Sequence, residues 1–146
     1  APTQLEPTPM AYWLVKSEPD AFSWDQQVAN KVEPWTGVRN FMARNYLRAM
    51  KKGDRAFFYH SNIGKEIVGT MAIAKTWHPD PTDETGKWGM VGVKPLQAAR
   101  TPVTLAQIKL DEALAGMALL RQSRLSVQPV SAAEWKRICK LAGMAA

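Results

Sequence analysis

Two β-favouring stretches, Asp54 to His60 and Lys65 to Trp77, are separated only by the turn-forming residues Ser61-Asn62-Ile63-Gly64. So short a polar break between aromatic and β-branched runs commits the middle of the chain to an antiparallel hairpin with a polar tip. Upstream, Ala11 to Lys16 is a nearly continuous apolar run that stops at Ser17-Glu18-Pro19-Asp20 and reads as a buried first strand. Downstream, Trp88 to Leu96 reads as another strand. Ser126 to Val130 is a short extended piece in which Pro129 withholds an N–H and marks an edge or a break.

Helical segments lie between these strands. Asp20 or Ser23 can cap a short helix through about Ala29. From Val38 onward, Val38, Met42, Tyr46, Ala49 and Met50 recur at helical spacing, and Arg44, Arg48, Lys51 and Lys52 form a separate basic stripe, with Gly53 as the natural stop. Thr104 to Lys109 reads as a short capped helix, Asp111 to Ala115 as a further helical turn, and Ser131 to Ala142 as a final helix with Ser131 and Glu134 spaced for a capping box. Strands interrupted by short helices without regular β-α-β alternation predict an α+β fold: a small mixed, mostly antiparallel β-barrel with short helices packed around its edge.

A chain of 146 residues can bury one sizeable core without disulfides or metal. The single cysteine, Cys139, excludes an internal disulfide and any cysteine-based zinc site, and with only two histidines a metal centre is not expected. No cofactor is expected either. Residues 1–9 hold three prolines and no periodicity, so they read as a disordered leader ahead of Met10, with one domain over residues 10–146. The absence of a bilayer-length apolar run and of a signal-peptide pattern leads us to expect no membrane partner, the lone cysteine suits a reducing cytoplasm, and a monomer is the default expectation.

Net charge is +6, and it is clustered. Six cations against Asp54 alone lie between Arg39 and Arg55, and five against Glu134 lie between Arg121 and Lys140. These two segments exceed the charge of the whole chain, so the remainder is slightly acidic. Such clustering is the electrostatic footprint of a nucleic-acid partner, although solvated helix faces carry similar charge. The first cluster begins in Trp35-Thr36-Gly37-Val38-Arg39-Asn40, which puts an indole, a turn, a guanidinium and a carboxamide within six residues. These are the parts of a pocket for one flat polar ring on a polyanion, as a nucleobase on its phosphates is.

Several longer phrases carry a resemblance. YWLVKSEP at residues 12–19, WTGVRNFMARNYLRAMKKGD at 35–54, FFYHSN at 57–62, IVG at 67–69, DPT at 80–82 and SRLSVQPV at 123–130 resemble, in this order, the EVE domain family. The resemblance covers nearly everything from Met10 onward. It implies a PUA-like barrel related to the YTH domain, and recognition of a modified base in DNA or RNA, turned out of its strand into an aromatic-lined pocket.

Within that frame Trp35 is the candidate stacking wall, since stacking contributes on the order of 1 to 3 kcal/mol per base. Trp88, which begins a strand just after a loop, is a second candidate, whereas Trp13, Tyr59 and Trp77 read as core, and Trp24 and Trp135 as helix-to-barrel packing. Asn40 can read a base edge or cap the following helix. Lys16 and Ser17 close the first strand at the expected barrel mouth. Ser61 and Asn62 face the same mouth or simply form the hairpin turn, and Gln128 offers one more amide. His60 has no triad-like phrase around it and is expected to meet the base or its phosphate. Arg39, Arg44, Arg48 and Arg124 are the candidate phosphate contacts. The rival readings are an enzyme acting on nucleobases, hydrolase or glycosylase-like, and a module for small molecules or proteins whose charge is incidental.

Overall fold

The computed structural model describes residues 11–17, 24–30, 33–34, 41–61, 65–80, 84–86, 88–122 and 125–144. The strands are β1 (Tyr12–Ser17), β2 (Glu33–Pro34), β3 (Arg55–His60), β4 (Glu66–Pro79), β5 (Gly89–Thr104) and β6 (Val127–Val130). The helices are α1 (Trp24–Asn30), α2 (Phe41–Ala49), α3 (Leu105–Leu110), α4 (Ala118–Arg121) and α5 (Ala132–Ala142), with a 3-10 turn at Glu112–Leu114. One sheet runs in the order β2-β5-β4-β3-β1-β6, and among the described residues only the β1/β3 pair is parallel.

The apolar character of β1 and β3 on both faces follows from their position. Period-two alternation sends Trp13, Val15, Ala56 and Phe58 into one cluster with α1 and α2, and Leu14, Phe57 and Tyr59 into a second cluster with the helices after β5. Trp135 of α5 anchors the second cluster, stacked on Phe57 at 3.9 Å between ring centroids and on Tyr12 at 4.7 Å. Trp24 of α1 anchors the first, edge-on to Phe58 at 5.5 Å. Both tryptophans therefore do the packing read from the sequence.

The expected hairpin is present as the antiparallel β3/β4 pair. The expected barrel is, among the described residues, an open sheet: β2 and β6 stand at its two edges and no pairing joins them. Neither edge is suited to a long closing ladder, since β2 has two residues and β6 contains Pro129, which has no N–H to donate. Register shifts recur along β4/β5, and bulges of this kind bend and coil a sheet. The strand starting near Trp88 runs past the expected Leu96 to Thr104, through Pro95 and Pro102, with Pro95 at one of those shifts.

Helix α2 is rotated from the expected face. Ala43, Leu47 and Met50 are buried and Tyr46 is half-buried, while Met42 is 46% exposed and Ala49 is exposed; Val38 lies outside the described residues. Both stripes share Tyr46 and Met50, so spacing alone does not choose between them. The choice goes to Leu47, whose larger side chain seats on the sheet with Ala43 beside it. The helix ends at Ala49, and Gly53 closes the following turn with φ +94°, its N–H reaching the Ile73 carbonyl at 3.0 Å.

Asp54 fixes this corner. Its Oδ1 accepts from the Ala11 N–H at 3.3 Å, and its Oδ2 from the Trp13 indole N–H at 3.1 Å and the Lys51 N–H at 2.9 Å. Counted in the sequence as an acid among cations, Asp54 is a buried carboxylate that ties the start of β1 to the end of α2. The capping boxes Thr104/Gln107 and Ser131/Glu134 open α3 and α5. Helix α4 and the two-residue β2 were not expected, and both are too short to carry a periodic signal.

Candidate nucleic-acid interface

Because β1 and β3 are parallel, both end on the same side of the sheet, with Lys16 opposite Tyr59 and Ser17 opposite His60. The Ser61 N–H donates to the Ser17 carbonyl at 2.9 Å. β6 runs antiparallel to β1 and is entered from this side, where the Lys16 N–H donates to the Ser126 carbonyl at 2.9 Å. Three phrases separated in sequence, ending β1, ending β3 and leading into β6, thus meet at one junction. It brings Lys16, Ser17, His60 and Ser61 together. Asn62 and Arg124 belong to the same phrases but lie outside the described residues.

The polar groups here are partly desolvated. Burial lowers the Lys16 ammonium pKa, and its Nζ lies 5.9 Å from the centre of the Tyr59 ring. Burial likewise raises the Tyr59 hydroxyl. His60 is lowered by burial, against the opposing influence of the Glu66 and Asp25 carboxylates. Its Nε2 accepts from the Trp24 N–H at 3.1 Å, which places the ring proton on Nδ1, and its ring meets Phe58 edge-on at 5.5 Å. The expectation that His60 contacts a base or phosphate is revised at that nitrogen: Nε2 caps α1, and Nδ1–H is the donor the ring can present.

Gln128 is not a rim amide. It is 1% exposed, and its Nε2 donates to the Gln122 and Leu125 carbonyls, each at 2.9 Å. It braces the turn before β6, because a strand-interior side chain on a buried face points into the protein. Its Oε1 has no hydrogen-bond partner among the described residues.

A second junction forms where α2 crosses the β4–β5 pair. The Arg44 guanidinium lies over the Trp88 ring at 5.5 Å, and that of Arg48 over the Trp77 ring at 4.7 Å. Trp88 therefore sits beneath a cation instead of presenting that face to a base. Helix α1 spans the two junctions, with the Trp24 N–H on His60 and the Gln27 Nε2 on the Val93 carbonyl at 3.2 Å. Trp35, Arg39 and Asn40 lie outside the described residues.

Two glycines that the sequence reading passed over serve these junctions. A methyl group at Gly69 would occupy the space of the Trp24 indole, and one at Gly89 that of the Trp77 indole. Glycine inside a strand is the available signal for such close approach. Among the described residues no group of three or more His, Cys, Asp or Glu side chains is arranged to hold a metal, and no helix is long and apolar enough to cross a membrane. Cys139 is buried in α5, its thiol pushed up to about 11 by desolvation.

The family model described as the EVE domain matches residues 11–141. Thymocyte nuclear protein 1 of Gallus gallus is 35% identical over 164 residues, covering 89% of this chain and 68% of that protein. The NMR structure of Rpa0253 from Rhodopseudomonas palustris superposes with a TM-score of 0.88 at 57% identity, covering 92% of this chain and 94% of that one. The crystal structure of human THYN1 protein in complex with 5-methylcytosine-containing DNA superposes with a TM-score of 0.86 at 34% identity, covering 93% and 99%.

Proposed function

The chain belongs to the EVE domain family, and on that premise we propose that it is a non-catalytic reader of modified DNA that takes a 5-methylcytosine base, turned out of its strand, into an aromatic-walled pocket. The observation that carries this reading is the likeness, over nearly the whole chain, to a human protein solved with 5-methylcytosine DNA. Trp35 supplies the stacking face and Asn40 an edge contact, while Lys16, Ser17, Ser61 and the Nδ1–H of His60 offer polar groups. Arginines neutralise the strand that carries the base. Enclosing one methyl group contributes about 0.8 kcal/mol, close to a fourfold preference over cytosine. The state of His60 supports binding over catalysis, since its Nε2 is engaged by a backbone N–H and not by a nucleophile.

The test is a titration of oligonucleotides that differ only in one methyl group, as single strands and as duplexes, with product analysis for turnover. We expect stoichiometric binding, a preference for the methylated strand, and weaker duplex binding because extraction of the base costs a few kcal/mol. Trp35→Ala should remove the preference without lowering the melting temperature. Full selectivity in that variant would overturn the role of Trp35, and release of free base would overturn the non-catalytic reading.

A further inference from the structure

We propose that Arg48 of α2, held over Trp77, is a preorganised grip on the phosphodiester backbone, a grip that sets affinity and is indifferent to which base is presented. It rests on the DNA-binding reading above but not on the base pocket. The Arg48 guanidinium is held over the Trp77 indole, 4.7 Å from the ring centre. A guanidinium seated over an indole is ordered by that contact, and the N–H groups of the exposed Arg48 are donors whose fork matches a phosphate.

Arg48, Lys51, Lys52 and Lys75 are all exposed, and none has a carboxylate within salt-bridge distance among the described residues. Ordinary surface cations pay side-chain entropy to bind an anion, whereas the stacked Arg48 has already been ordered by packing. Trp77 is its support: the indole packs against Gly89, its Nε1 is buried, and the Arg48 guanidinium lies over its ring. Trp77 and Gly89 are therefore positioning residues and Arg48 is the contact.

The experiment measures the affinity of the full chain for methylated and unmethylated oligonucleotides across a salt series. For Arg48→Ala we expect roughly tenfold weaker binding to both, an unchanged ratio between them, and a slope of log K against log salt reduced by about 0.7 for single strands or 0.9 for duplex. Arg48→Lys keeps the charge and loses the planar stack, so it should retain the slope while losing part of the affinity. Trp77→Phe keeps a ring beneath the guanidinium and should lie close to the wild type, with Trp77→Leu resembling Arg48→Lys. An unchanged slope in Arg48→Ala overturns the grip, and a lost preference for the methylated base overturns its indifference to the base. Wild-type Arg48→Lys affinity overturns the role of the stack. If the wild type shows no preference for methylation, the base-reading proposal fails while the salt measurement on unmodified DNA still decides this one.

Discussion

The two junctions of this molecule handle charge in opposite ways. Where β1, β3 and β6 meet, the polar groups are drawn toward their uncharged forms: burial lowers the pKa of Lys16 and of His60, and the imidazole is held neutral by the Trp24 N–H. Where α2 crosses β4 and β5, the cations are arginines that rest on indoles. A partly desolvated rim suits discrimination between bases, because an unsatisfied group there costs more than a matched one gains. A permanent positive edge suits attraction to any strand. Each junction also rests on a tryptophan seated against a strand glycine, Trp24 on Gly69 and Trp77 on Gly89.

The largest way to break the comparison is at Asp54, on which the second junction is rooted. Asp54→Ala leaves the N–H groups of Ala11 and Lys51 and the Trp13 indole without their acceptor. At 1 to 3 kcal/mol for each unsatisfied buried donor, a loss of about 3 kcal/mol or more is expected in urea denaturation, with Asp54→Asn losing less because one oxygen remains. An Asp54→Ala protein as stable as the wild type would show that these bonds are replaced by water.

The paired glycines give the next effect and the sharper contrast. Gly69→Ala and Gly89→Ala each force an indole off its seat, and overpacking of this kind costs about 1 to 3 kcal/mol. The stability losses should be alike, but the binding losses should not. Displacing Trp24 disturbs the His60 contact and should reduce the preference for a methylated base. Displacing Trp77 disturbs Arg48 and should reduce affinity and salt slope equally for every strand. If both variants lose the same property, the two junctions do not divide the work.

Much of this arrangement was legible in the sequence because it rests on local signals. Ser131 and Glu134 announced α5, the turn residues after His60 announced the β3/β4 pair, and Pro129 announced the edge position of β6. What was not legible depended on which strands lie side by side. Lys16, Ser17, His60 and Ser61 could be named as a group, but only the parallel β1/β3 pairing explains why they meet, and parallel pairing leaves no local mark. Trp88 reads as a second candidate wall from its place after a loop, and the cation over its ring, Arg44, comes from an element remote in sequence. Gln128 was read as available because nothing in its spacing reveals that the turn before β6 folds back onto its amide. The same limit hid Asp54, whose partners include residues more than forty positions away.

The smallest expected effect separates the junctions by pH. The ordinary histidine value is 6.5, and burial holds folded His60 below it. As pH falls, the unfolded chain therefore takes up this proton first, so the contribution of neutral His60 is complete above that value and is progressively lost as pH drops through it toward the folded pKa. Protonation also sets an N–H donor against the Trp24 N–H, which removes the acceptor at the start of α1. Hydrogen-exchange protection factors between pH 7.5 and 5.5 should fall for α1 amides while those of α2 hold, since α2 contains no histidine or carboxylate. His60→Gln keeps an acceptor but cannot titrate, and it should flatten the pH dependence of α1 alone. If α1 in that variant loosens with acid just as it does in the wild type, the sensitivity belongs to another group and His60 is only a structural cap.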